Sequence, residues 1–234
     1  MQPSTVTIRA IEEGSDPAIG AFGRLQDRSY FAPEMLIPAR YIGQMLRGSG
    51  ERENHLLVAE DAGQVVGGVL FHYLRPVNAG FSSFMAVAPE RRGQGIARQL
   101  HDARLATLDR VAGQPVRGVF IDVVSPERLS DRDRAREEKV GSDPAARRRA
   151  FAALGFRRVD VRYEQPVGGP NGGPVTDLDL LYCPRGPATE VDADFVAATL
   201  REYWRGWLGE EAASRHSRAL RQRMPGSTAA LLDP

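Results

Sequence analysis

The residues with the most chemical content lie in Met85-Ala-Val-Ala-Pro-Glu-Arg-Arg-Gly-Gln-Gly-Ile-Ala97. An apolar run stops at Pro89, and an arginine- and glycine-rich turn leads straight into a helical pattern. The first N–H groups of a helix lack intrahelical acceptors and sit at the positive end of its dipole, so such a turn suits a phosphate or pyrophosphate. Gly93 and Gly95 remove side chains that would hold an anion off the amides, and Arg91 and Arg92 add charge. The same residues also fit a plain strand-to-helix loop with solvated arginines, because short glycine patterns carry little information. The second feature is Asp122, set within the apolar stretch Phe120-Ile-Asp-Val-Val124. Burial there would raise its pKa toward the range useful to a general base. A hydrogen-bonded structural carboxylate is the equal alternative.

Val87-x-Pro89-Glu-x-Arg92-x-x-Gly95-x-Ala97, with Leu100 further on, resembles the acetyl-CoA-binding signature of GNAT-type N-acetyltransferases. Arg149-Ala-Phe-Ala-Ala-Leu-Gly-Phe156 resembles the helix-to-strand segment of the same family, and it follows in the right order. The resemblance spans roughly Val6 to Pro184. It implies a mixed, mostly antiparallel α/β (α+β) sheet of about seven strands flanked by helices, with acetyl-CoA as co-substrate and no metal. The amides of Arg92, Gly93, Gln94, Gly95, Ile96 and Ala97 would hold the pyrophosphate. Met85, Ala86 and Val87 would splay from Val116–Val124 and offer backbone groups to the pantetheine. An unprotonated amine would then attack the thioester directly, helped by proximity and by hydrogen bonds to the developing oxyanion.

The resemblance also implies an acceptor pocket near His72 and Tyr73, although a lone histidine is more often structural. Three departures touch the chemistry. Phe151 stands where many members carry a general-acid tyrosine, Arg147 and its neighbours stand where an asparagine is common, and Phe81–Val87 lacks a glutamate seen in some relatives. Asp122 is therefore the candidate base. Tyr163 is the candidate replacement acid, with Tyr182 and Cys183 nearby on the last two strands; packing is the alternative for each. The implied function is N-acyl transfer from acetyl-CoA to a primary amine of a small molecule or peptide. A non-catalytic acyl-CoA sensor or scaffold of the same fold is the alternative.

Elements must position these residues. Val6, Ile8 and Ala10 alternate as a first strand, and helices are expected over Asp16–Tyr30 and Pro33–Leu46, with a loop at Arg47–Asn54. His55–Glu60 and Val65–Phe71 flank Asp61-Ala-Gly63 and form a hairpin. Phe81–Val87 is a strand, Arg92–Arg110 a helix, and Val116–Val124 a strand. The densely charged Pro126–Asp143 reads as a solvated, partly helical insertion. Pro144–Leu154 is a helix with Asp143 as N-cap and Gly155 as stop. Phe156–Tyr163 and Val175–Tyr182 pair across the Gly/Pro-rich loop Pro166–Pro174, which is either a specificity lid or a surface excursion. Thr189 to about Met224 is helical and Pro225–Pro234 is frayed. Residues 1–185 thus form the acetyltransferase-like unit and 186–234 a C-terminal helical extension. The apolar stripe Val196, Leu200, Tyr203, Trp204, Trp207 and Leu208 must pack on its own sheet or on a second subunit, giving a monomer or a homodimer.

Composition excludes several classes. The chain has 234 residues, 42% hydrophobic and 26% charged, enough for a sizeable core. Thirty-one basic residues face thirty acidic ones, so no field for nucleic acid exists. Lys139 is the only lysine, which excludes a Walker-type phosphate loop, and Cys183 the only cysteine, which excludes an intrachain disulfide. No window reads as a membrane span or export signal, so a cytoplasmic location is expected.

Overall fold

A computed structural model describes residues 6–30, 36–47, 52–167 and 173–234. Its elements are β1 (Thr7–Ile11), α1 (Pro17–Ser29), α2 (Ala39–Met45), β2 (Arg52–Asp61), β3 (Gln64–Leu74), β4 (Ala79–Val87), α3 (Ile96–Ala112) and β5 (Gly118–Val124). These are followed by α4 (Asp131–Lys139), α5 (Pro144–Ala153), β6 (Arg157–Val159), β7 (Leu178–Pro184), β8 (Glu190–Asp192), α6 (Ala193–Leu208), α7 (Glu210–Gln222) and β9 (Thr228–Leu232). Among the described residues the sheet has nine strands, rather than seven, in the order β1-β2-β3-β4-β5-β7-β6-β9-β8.

Alternation along the strands divides the apolar residues between two faces. On one face, Val69, Phe71, Val119 and Ile121 meet Ile96, Leu100 and Leu108 of α3 and Phe151 of α5. On the other, Leu56, Val58 and Leu70 meet Phe22 and Leu25 of α1 and Ile42 of α2. Further along that face, Phe81, Phe120 and Leu180 are covered by Val196, Leu200 and Trp204 of α6. Val196, Leu200, Tyr203 and Trp204 of the stripe expected at the C-terminus therefore pack on their own sheet and Leu208 does so partly, whereas Trp207 stays exposed.

One pairing departs from the rest. Strands β4 and β5 run parallel and pair only at Gly80↔Val119 and Phe81↔Phe120. Beyond Phe81 they part, although each stays bonded to its other neighbour, β3 or β7. The β3–β4 register also shifts between Leu70 and Phe71, so Leu70 faces Phe84, Phe71 faces Ser82, and Ser83 is the extra residue.

Several boundaries move from the sequence expectation. The turn of the first hairpin has two residues, Ala62 and Gly63, both at positive φ, between the paired Asp61 and Gln64. Helix α3 starts at Ile96 rather than Arg92, because Gly93 and Gly95 adopt φ of 75° and 78° and leave the helical region. The second helix is only Ala39–Met45, since Pro38 sits at its N-cap; the start expected at Pro33 lies outside the described residues. Strand β2 takes in Arg52–Asn54, which was expected as loop. The strand expected over Phe156–Tyr163 pairs only at Arg157–Val159. The charged insertion is helical at α4, and it is not wholly solvated: Glu137 is buried and bonded to Arg147 at 2.9 Å. The C-terminal stretch is two helices broken at Gly209 (φ 77°), and its last residues are not frayed but form β9, which inserts between β6 and β8.

Candidate functional site

The parting of β4 and β5 opens a cleft of about 870 Å³. One end is the Arg91–Gly95 turn and the start of α3; the other is walled by Tyr203 and Trp207 of α6. Helices α1, α4, α5 and α6 have side-chain N-caps, supplied by Asp16, Ser130, Asp143 and Asp192. Helix α3 has none: Gly95 is its N-cap, and the first regular bond runs from Gln99 N–H to Gly95 O. The amides of Ile96, Ala97 and Arg98 are thus the ones without intrahelical acceptors. A Cβ on Gly93 or Gly95 would meet nothing within 4 Å, so these glycines serve the left-handed turn and not a tight contact. Arg92 donates to Gly141 O at 3.0 Å, which ties the turn to the end of α4 and places its guanidinium along the cleft.

Along the cleft, Met85, Ala86 and Val87 form the β4 wall and Ile121–Val124 the β5 wall. The Met85 carbonyl faces α1, where Tyr30 Oη donates to it at 3.2 Å. All nine residues expected to contact a CoA-like ligand fall near this cleft, and all but Gln94 line it.

Asp122 lies on the β5 wall beyond the last β4–β5 pair. Burial pushes its carboxyl up from 3.8 to about 6, against the downward pull of the Tyr163 hydroxyl, which donates to it at 2.9 Å. Tyr163 is fully buried behind Asp122 and also contacts Gln165 Oε1, which accepts from Trp204 Nε1 at 3.0 Å. Tyr163 therefore reaches the cleft only through the carboxylate, and burial raises its phenol well above the ordinary range. Tyr182 is spoken for elsewhere, donating to Arg117 O at 2.7 Å and stacking on Phe120. Cys183 is buried against Leu154 and His101.

The two expected acceptor residues separate. Tyr73 points to the α3 face, where its hydroxyl bonds Asn78 at 3.2 Å; it does not line the cleft, because adjacent strand residues face opposite ways. His72 points to the α6 face, fully buried, with Nε2 2.6 Å from Ser83 Oγ. Ser83 lines the cleft and is 3.1 Å from Tyr203 Oη. Phe151 also lines the cleft, buried in edge contact with Phe156. Sequence reasoning missed Ser83, Tyr203 and Trp207 as cleft residues. The α6 pair read as part of an apolar stripe, and Ser83 depends on a bulge that no local pattern announces. The centre of the Pro166–Pro174 loop, residues 168–172, lies outside the described residues.

Among the described residues no group of three or more His, Cys, Asp or Glu could hold a metal, and no helix is long and apolar enough to cross a membrane.

A family model described as an acetyltransferase (GNAT) domain matches residues 52–158, the span from β2 to β6 that carries the cleft walls. A GNAT-family acetyltransferase from Bacteroides thetaiotaomicron has a similar structure, with a TM-score of 0.56 at 15% identity, covering 85% of this chain and 96% of that one. An aminoglycoside 6'-N-acetyltransferase complexed with coenzyme A gives 0.54 at 15% identity, with coverages of 78% and 98%. The ribosomal-protein-S18-alanine N-acetyltransferase of Escherichia coli gives 0.50 at 16%, with coverages of 79% and 96%. At such identities the likeness is one of fold. Comparison with curated protein sequences returned no match.

Proposed function

We propose, from the match of residues 52–158 to a GNAT acetyltransferase domain and from the geometry of the cleft, that this chain is a cytoplasmic N-acyltransferase of the GNAT superfamily, moving an acetyl group from acetyl-CoA to a primary amine of a small molecule or peptide. The observation that carries the reading is one continuous cleft joining the start of α3, which lacks a side-chain cap and is framed by glycines, to a half-buried carboxylate of raised pKa. The amides from Arg92 to Ala97 would hold the pyrophosphate, and the backbone edge at Met85–Val87, which β5 leaves without a strand partner, the pantetheine. Bound acetyl-CoA supplies an electrophilic thioester carbonyl. Asp122 is the general base: ionised above about pH 6, it takes the surplus proton of the amine as the C–N bond forms and the C–S bond breaks. Tyr163 is a positioning residue that holds the carboxylate, and the leaving thiolate takes its proton from water.

Phe151 favours a second reading, an acyl-CoA sensor without turnover, since its ring has no proton to give. Calorimetric titration with acetyl-CoA and longer acyl-CoAs, followed by thiol release against a panel of primary amines, separates the two. Binding with amine-dependent thiol release supports the transferase. Binding with no release across the panel promotes the sensor, and absence of binding defeats both.

A further inference from the structure

Four side chains from four distant places in the sequence form a hydrogen-bonded chain at the acceptor end of the cleft, and its polarity can be worked out. Asn54 Nδ2 donates to Met45 O at 2.9 Å, so its Oδ1 is the atom facing His72 Nδ1, 2.8 Å away. His72 Nδ1 must therefore carry the imidazole proton, which leaves Nε2 as a bare acceptor. The Ser83 hydroxyl, 2.6 Å from Nε2 and closer to it than Arg52 Nη2 at 3.1 Å, gives its proton there. Ser83 Oγ can then only accept from Tyr203 Oη at 3.1 Å. Burial and the facing guanidinium of Arg52 hold His72 well below the ordinary imidazole range, so this neutral tautomer persists. Every proton in the chain points inward, and what Tyr203 turns to the cleft is a lone pair.

We propose that Tyr203 Oη is a second acceptor at the acetyl-transfer site, binding one N–H of the incoming amine while Asp122 accepts the other. Two acceptors match the two N–H bonds of a neutral primary amine and leave its lone pair free for the thioester. The two groups face the same cleft, and Tyr203 stacks on Phe81, whose strand partner Phe120 lies two residues before Asp122 on the same face of β5. A secondary amine has one N–H and leaves one acceptor buried without a partner, so this pair selects primary amines. Phe84, Tyr203, Trp207, Leu36 and Ile37 make the surrounding wall largely apolar, which fits an amine borne on an aromatic or aliphatic body. This inference rests on the acyltransferase reading.

The test compares 2-phenylethylamine with N-methyl-2-phenylethylamine as acceptors in the full chain and in Tyr203→Phe, a change that keeps the ring stacked on Phe81 and removes only the oxygen. The wild type should favour the primary amine in kcat/KM by roughly tenfold or more, about the size of one hydrogen bond. Tyr203→Phe should lower the primary-amine value by about that factor and the secondary-amine value by less than about threefold, so that discrimination collapses while the acetyl-CoA Kd stays unchanged. Ser83→Ala, which keeps the phenol but frees its proton, should shift the ratio in the same direction by less. An equal loss on both amines, with the ratio preserved in both variants, would overturn the inference while leaving the transferase intact. Acetyl-CoA binding with no thiol release from any primary amine would overturn the acyltransferase reading, and this inference with it.

Discussion

At the scale of single residues, Asp122 couples activity and stability in opposite directions. Its folded carboxyl holds a proton more tightly than the unfolded one, about 6 against 3.8, so the folded state is favoured in acid. That contribution is lost as pH rises from 3.8 through 6, and by pH 8 the half-buried charge costs on the order of 2–3 kcal/mol. Asp122→Asn should therefore raise the melting temperature at pH 8 and change it little at pH 4, as read by thermal unfolding across pH. The same variant should lose roughly 10²- to 10⁴-fold in acetyl transfer. In the wild type, the slope of log kcat/KM against pH should steepen by one below about 6, in addition to the amine's own titration; in Asp122→Asn that steepening should vanish. Gly95 makes the complementary case at the other end of the cleft. Its φ of 78° asks of any L side chain a strain of about 1–2 kcal/mol, though space for a methyl group exists. Gly95→Ala should therefore weaken acetyl-CoA binding by about tenfold in calorimetry, as the turn relaxes and the α3 amides lose their aim. A wild-type affinity in that variant would detach the turn from CoA binding.

At the scale of elements, the acceptor wall depends on how α6 is pinned. Arg52 of β2 donates to the Tyr203 carbonyl at 3.2 Å and to Asn54 Oδ1 at 3.1 Å, and its guanidinium lies beside the rings of Tyr203 and Trp207. Gly206 leaves the space that this guanidinium fills, since a Cβ there would clash with Arg52 Nη1. Gly206→Ala would gain about 1 kcal/mol in helix propensity and lose a bond to a charged donor of about 1.5–3 kcal/mol. The expected outcome is a small net loss of stability with a larger loss of amine turnover, measured by pairing thermal melts with kcat/KM. Unchanged turnover would show that Tyr203 is held without Arg52. The turn before α3 and the first hairpin were legible in the sequence because glycine and proline fix backbone locally, at Gly93, Gly95, Gly63 and Pro89, although those same glycines delay the helix from the expected Arg92 to Ile96. The wall from α6 was not. Helical periodicity tells which side of α6 is buried, and it says nothing of a partner 120 residues away such as Ser83. Asp122, flanked by apolar neighbours on β5, was legible as a half-buried carboxylate, whereas Tyr73 was misplaced: the neighbouring His72 and Tyr73 leave β3 by opposite faces.

At the scale of the whole molecule, the last fifty residues complete the sheet that carries the site. Phe81, Phe120, Leu180 and Tyr182 are buried largely under Phe195, Val196, Leu200 and Trp204, and β9 supplies the partner of β6. That terminal strand was illegible because Thr228–Leu232 is short and modestly apolar; it is a strand only because β6 offers an open edge. A chain ending at Arg185 would expose this face, and each large side chain uncovered costs about 1.5–3 kcal/mol, so several exceed the whole stability of an ordinary domain. Such a chain should lack a cooperative thermal transition and near-ultraviolet circular dichroism; a sharp melt near that of the full chain would show that residues 1–185 fold alone. The same packing bears on assembly. With the α6 stripe covered by its own sheet, the large apolar side chains left exposed among the described residues are Tyr41, Val167 and Trp207. A stable interface buries about 800 Å² on each partner around an apolar centre, more than these three scattered side chains provide. The full chain should therefore run as a 25.6 kDa monomer in light scattering coupled to size exclusion, and a mass of twice that value would overturn this expectation.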